Sequence, residues 1–142
     1  MEYNKSMNKA EKHFYLTATI IFTLAYAVLK LFTGGLATII FGLGFIALGV
    51  IYYTYGNKFA HKANKEVVDY VLYWLISIFL VLFALFFIDG GDVSMDIWHA
   101  QIIRAIPYKA SALISAVCGG VLLILLITAG IIAIVRKIKA KK

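Results

Sequence analysis

Residues 67–88 read VVDYVLYWLISIFLVLFALFFI, a run in which Asp69 is the only charged side chain. As a helix rising about 1.5 Å per residue, a run of this length matches a bilayer hydrocarbon core of roughly 30 Å. A membrane strand needs only about ten residues of alternating polarity, and the run does not alternate. In lipid the backbone must satisfy its own N–H and C=O groups, so the segment is read as a transmembrane helix.

Three more runs have the same character: Phe14–Thr33, Leu36–Tyr55 and Ala110–Val135. The rest of the composition agrees. Of 142 residues 63% are hydrophobic and 15% charged, with one proline and a mean hydropathy of +0.90. A soluble domain carries about 25% charged residues, and one this apolar would expose adhesive patches. The expectation is an all-α integral membrane protein: a four-transmembrane-helix bundle forming a single membrane domain over 1–142. Its parts are spans at 14–33, 36–55, 67–88 and 110–135, an outer loop at 89–109 and a basic tail at 136–142.

Charge sets the expected orientation. With the N-terminus inside, Lys5, Lys9, Lys12, Lys58, Lys62, Lys65, Arg136, Lys137, Lys139, Lys141 and Lys142 all face the cytoplasm. Only Lys30, Arg104 and Lys109 fall outside, beside Asp89, Asp92 and Asp96. The positive-inside rule thus predicts N-in, C-in. Ala25-Tyr26-Ala27 has the form of a signal-peptidase site, but hydrophobicity continues through Val28, Leu29, Leu31 and Phe32, which argues for retention of the first span.

Gly35, Gly42, Gly49 and Gly56 recur every seven residues along the second span, with Gly44 beside them. Such a period keeps one seam facing a partner helix, and missing side chains let two backbones approach. On this reading a bulky residue at Gly42 or Gly49 separates the pair. The fourth span offers a smooth face in Ala112, Ala116 and Gly120, and the first adds Thr19, Thr23 and Ala27. The third has only Ser77 and Ala84 among large side chains, and is expected to be the most lipid-exposed helix or the one meeting an outside partner. Tyr52, Tyr53, Tyr55, Phe59, Tyr70, Tyr73 and Trp74 gather where the second and third spans meet the inner surface, and read as an aromatic belt at headgroup level. An aromatic substrate cage is the alternative. Lys30 is expected to snorkel to the outer headgroups, or to pair with Asp89. Asp69 is expected to form a rim ion pair with Lys62 or Lys65.

The outer loop is patterned. Met95, Trp98, Ile102 and Ile106 share one helical face while Asp96, Gln101 and Arg104 lie elsewhere, predicting a short amphipathic helix in the interface, ended by Pro107. Its apolar face is a candidate partner contact. Asp92, Asp96 and His99, at i, i+4 and i+7, are a weak metal candidate against the simpler reading of a solvated, capped helix start. No metal and no cofactor is expected.

No span has an ionisable residue near its middle, as proton relays and ion-coupled transporters usually require. No nucleophile–base constellation is visible, so an enzyme is not expected. The lone Cys118 lies in an apolar run and reads as a small buried hydrophobe. The tail's basic residues suit an anionic lipid surface, and nucleic-acid binding is not expected. These features favour an accessory or interaction subunit of another membrane component, of an assembly, regulation or immunity type. The alternatives are a homo-oligomeric small channel or transporter, lined by the glycine seam and by Thr17, Thr19, Thr23, Thr38, Ser77, Ser115 or Thr128, and a holin-like permeabilising protein. The expected partners are the lipid bilayer and another membrane protein or a second copy. The expected location is a prokaryotic plasma membrane, crossed several times.

Overall fold

The computed structural model describes residues 2–33, 35–87 and 106–140. Among them there are four helices and no strand: α1 (Glu2–Thr33), α2 (Gly35–His61), α3 (Val67–Phe86) and α4 (Tyr108–Lys139). Three contain segments long and apolar enough to cross a membrane: Lys9–Leu31, Val67–Phe86 and Lys109–Lys139.

Local chemistry marks the helix ends. α2 stops at His61, and a short turn is held by Lys62 N–H donating to the Phe59 carbonyl at 3.1 Å. Glu66 then caps α3: its backbone N–H donates to the Asp69 carboxylate at 2.8 Å, so the helix begins with its acid reaching back over the cap. Phe87 turns extended and ends α3, its N–H donating to the Phe83 carbonyl at 3.0 Å. Pro107 precedes α4, where its φ of −59° suits a helix start and its missing N–H removes a donor the first turn could not satisfy.

The helices pack as a row with one fold in it. α1 lies along α2 and also against α3; α3 packs closely on α4 and more lightly on α2. α4 approaches no other helix backbone among the described residues. α3 is therefore central, which corrects the expectation that it is the most lipid-exposed. Leu72, Ile76, Leu80 and Ala84 recur every four residues and are buried, and Tyr73 and Ser77 bury the adjoining stripe. The expectation failed because small size was taken as the mark of a packed face, whereas α3 packs through large side chains. α4 is the most exposed: Leu113, Val117, Leu123, Ile124, Ile127 and Ile131 all face outward.

Hydroxyl groups lock the α1–α2–α3 unit. Ser77 Oγ donates to the Tyr73 carbonyl, so the Tyr52 hydroxyl donates to Ser77 Oγ at 2.8 Å, joining α2 to α3. Thr19 Oγ1 likewise donates to the Tyr15 carbonyl. The Tyr73 hydroxyl then donates toward both Thr19 Oγ1 at 3.1 Å and the Tyr15 carbonyl at 3.2 Å, joining α3 to α1. Tyr26 donates to the Phe45 carbonyl at 3.0 Å, joining α1 to α2. Each such bond contributes about 1 kcal/mol net, and in an apolar interior each also fixes which faces meet.

Candidate functional site

The ends of α1, α2, α3 and α4 that carry Lys12, Lys58, Val67 and Arg136 come together as one basic end of the bundle. Asp69, at the first turn of α3, is its electrostatic centre. One carboxylate oxygen accepts from Lys62 Nζ and the Glu66 backbone N–H, the other from Arg136 Nη1. Arg136 Nη2 also donates to Glu66 at 2.7 Å, so one guanidinium ties α4 to both acids at the start of α3. Beside this, Lys65 Nζ lies 3.3 Å from a Glu11 oxygen that also accepts from the Tyr70 hydroxyl at 2.7 Å. The Lys65 side chain is almost wholly covered, between the rings of Tyr15 and Phe59.

The expected pairing of Asp69 with Lys62 is present, and Lys65 goes to Glu11 instead. Arg136 was not assigned to Asp69 from the sequence. The usable signal was topological: a carboxylate opening one helix and a guanidinium ending another lie at the same end if both helices span.

Above this network α2 and α4 stand apart and leave a cleft of about 790 Å³, with α3 as its floor. Ile51, Thr54 and Tyr55 form one wall, Ala129, Gly130 and Ala133 the other, and Leu72 the floor. Lys58, His61, Lys62 and Arg136 ring its basic end, with Asp69 the only acid among the described residues that line it.

The glycines of α2 are not equivalent. A Cβ on Gly56 would stand 2.5 Å from Thr19 Cγ2 and 3.0 Å from Thr19 Cβ, so α1 meets α2 there without room for a methyl group. A Cβ on Gly49 would lie 3.4 Å from the Tyr26 ring. Gly42 and Gly44 have nothing within 4 Å of such an atom. Among the described residues the close approach of α1 and α2 is thus at Gly49 and Gly56. The Gly35 side of α2 lies outside the description of side chains.

On α4 the buried face is Ser111, Ser115, Cys118 and Leu122, with a Cβ on Gly119 falling 3.1 Å from the Phe83 ring. Ala116 and Gly120 are exposed and Ala112 is half-buried, so α4 meets α3 through the face beside the smooth one. Serine and cysteine are as compact as alanine for this purpose, and Ser111 adds a hydrogen bond to the Phe86 carbonyl at 3.2 Å.

The aromatic residues divide. Tyr53 and Trp74 reach the perimeter, but Tyr52, Tyr73 and Phe59 are buried. Phe59 stacks on Tyr73 with centroids 4.6 Å apart, and Tyr15, absent from the sequence-based grouping, meets both edge-on at 4.9 and 5.1 Å. Tyr70 lies against Tyr15 and Phe59, and Tyr55 is half-buried against the core. The hydroxyls of Tyr52 and Tyr73 pair across helices and hold those two rings inside the bundle, and Phe59 packs on Tyr73.

Lys30 also differs from expectation. It turns into the bundle and is 5% exposed, with Nζ 3.8 Å from the centre of the Phe87 ring and 4.5 and 5.0 Å from those of Phe45 and Phe83. Among the described residues Nζ has no hydrogen-bond partner and lies among ring faces, while Asp89, the other expected partner, is outside them. Ile106 is half-buried just before α4, whereas Asp89, Met95, Trp98 and Ile102, and the metal candidates Asp92, Asp96 and His99, lie outside the described residues. Compared with models of protein families, with curated proteins and with solved structures, the chain matches none.

Proposed function

We propose that the chain is a four-span protein of a prokaryotic plasma membrane, N-in and C-in, serving as an accessory or interaction subunit of another membrane component. α2, with 27 residues, joins the three apolar helices as the fourth span in this reading, and the basic end is cytoplasmic. The observation that carries it is the asymmetry of the bundle. α1, α2 and α3 are interlocked by interior hydroxyl bonds, whereas among the described residues α4 rests on α3 alone and turns a wide apolar face outward. A self-contained catalyst or carrier would direct polar groups into a shared cavity. Here the hydroxyls of Thr19, Tyr26, Tyr52, Tyr73 and Ser77 are taken up by one another and by backbone carbonyls.

The same placement weighs against a pore lined by the candidate hydroxyls. Thr19 and Ser77 are buried and bonded, Thr23 donates to the Thr19 carbonyl, and Thr128 is exposed on α4 and donates to its own helix at Ile124. Thr19 and Thr23 share a face of α1, but Thr128 lies on α4, which does not approach α1 among the described residues. The test is purification of the tagged protein from native membranes in mild detergent, with mass spectrometry of what accompanies it. One stoichiometric foreign membrane protein is the expected result. A companion-free homo-oligomer that passes ions or small solutes in reconstituted vesicles would replace this reading with the channel.

A further inference from the structure

We infer that the cleft between α2 and α4 is a binding site for one anionic phospholipid, taken from the leaflet at the basic end of the bundle.

Three observations meet there. The first is length. The lining runs from Val50 to His61 on α2 and from Leu126 to Arg136 on α4. At about 1.5 Å per residue that is roughly 15 Å with the cation-ringed end included, which fits within one leaflet, half of a bilayer of about 40–45 Å with its headgroup regions. A partner's transmembrane helix crosses both leaflets and would need a groove twice as long. An acyl chain needs one leaflet.

The second is the lining. Ile51, Leu72, Leu126, Ala129 and Gly130 present a smooth apolar trough, and the volume of about 790 Å³ falls in the range of small-molecule sites, about 300–1,000 Å³. In a bilayer such a trough is filled by hydrocarbon, because water gains no hydrogen bonds along it.

The third is charge. The cations sit only at the end of the trough where a headgroup would lie. Arg136 and Lys62 are held by Asp69 and Glu66, while Lys58 makes no ion pair among the described residues. Three cations against two carboxylates leave one positive charge, matching the single negative charge of a phosphodiester. Lys58 supplies the free ammonium, and Arg136 and Lys62 stand ready as further donors. His61 Nδ1 is taken by the Asn57 carbonyl at 2.9 Å, leaving Nε2 able to meet a headgroup hydroxyl. The inference needs only that the helices lie in a membrane. It holds whether or not the protein is an accessory subunit.

The test is native mass spectrometry of the full chain in detergent, titrated with phosphatidylglycerol or phosphatidylcholine. Occupancy is compared among wild type, Lys58→Gln, Gly130→Leu and a tail variant with Lys137, Lys139, Lys141 and Lys142 changed to glutamine. A Cβ on Gly130 meets nothing within 4 Å, so its leucine enters the trough without disturbing the helix packing. The expected result is one retained phosphatidylglycerol per chain and weaker phosphatidylcholine. Lys58→Gln lowers the affinity about fivefold, as the loss of one interfacial cation implies. Gly130→Leu abolishes the retained lipid while circular dichroism and elution volume stay as in wild type, and the tail variant binds as wild type does. Equal retention of the two lipids, binding that follows the tail and ignores Lys58, or full occupancy in Gly130→Leu would each overturn the inference. Should Gly130→Leu not fold, Lys58→Gln against the tail variant decides alone.

Discussion

Adding one methyl group to Gly56 perturbs the protein where α1 and α2 are closest. The new Cβ would stand 2.5 Å from Thr19 Cγ2 and 3.0 Å from Thr19 Cβ, against an ordinary contact of 3.4–4 Å. Relief requires α1 to move away or Thr19 to leave its rotamer. The second course breaks the Thr19 bond to the Tyr15 carbonyl and removes one of the two acceptors of the Tyr73 hydroxyl. Overpacking of this kind costs about 1–3 kcal/mol and a lost buried hydrogen bond about 1 kcal/mol more. Alanine repays about 1 kcal/mol through its better helix propensity. The expected net effect of Gly56→Ala is a loss of about 1–3 kcal/mol. Gly42→Ala, with nothing within 4 Å of the added atom, keeps only the propensity gain and is expected to be neutral or more stable. The assay is thermal unfolding in one detergent, followed by helical circular dichroism and by the fraction still monodisperse after heating. Thr19→Ala in the Gly56→Ala background removes Oγ1 and Cγ2, the nearest of the clashing atoms, so the double mutant is expected to lose less than the sum of the singles. If Gly56→Ala matches wild type while Gly42→Ala is the damaging change, the packing of α1 on α2 is not as described and the argument fails.

Other expectations follow from single side chains. Asp69→Asn removes the charge that holds Lys62 and Arg136, and should lower stability by about 1–3 kcal/mol. In a double-mutant cycle with Arg136→Gln the two changes should be strongly non-additive, and simple additivity would show that α4 is not tied through this pair. Lys30→Met should raise stability, because a buried ammonium with no anion among the described residues costs more than the roughly 2 kcal/mol that cation–π contacts return. A clear loss of stability in Lys30→Met would show that an anion reaches Nζ, and Asp89→Asn would then reproduce it. Ser115 Oγ is buried without a partner, so Ser115→Ala should be neutral or stabilising by up to about 1 kcal/mol in the same melts. Tyr52→Phe should cost only about 1 kcal/mol, since the Ser77 hydroxyl keeps its bond to the Tyr73 carbonyl; a loss several times larger would mean that the pair does more than join two helices.

Several features of the candidate site were legible in the chain. Asp69 beside Lys62 follows from proximity at a helix start, and the clustering of basic residues at one end follows from the placement of the runs. The partnership of Asp69 with Arg136 spans 67 residues, and which acid receives the guanidinium depends on α4 lying against α3. Tyr15 was invisible as a member of the aromatic cluster because it sits in α1, away in sequence from Phe59 and Tyr73. The spacing of the glycines marked α2 as a packing helix but could not say that Gly56, and not Gly42, meets α1. That difference depends on where two helices cross.

By itself the sequence determined that the chain forms long apolar helices and where the charges fall along them. Those properties rest on interactions with solvent and lipid, and each segment meets its surroundings largely independently of the others. Only the tertiary structure decided that α3 is central and α4 peripheral, that Lys30 turns inward among phenylalanine rings, and that α2 and α4 leave a cleft. The reason is the solvent. In water a buried face is written in hydrophobic residues and an outer face in polar ones. In lipid both are apolar, and the choice between them falls to shape and a few hydroxyl bonds, which appear only once the helices are in contact.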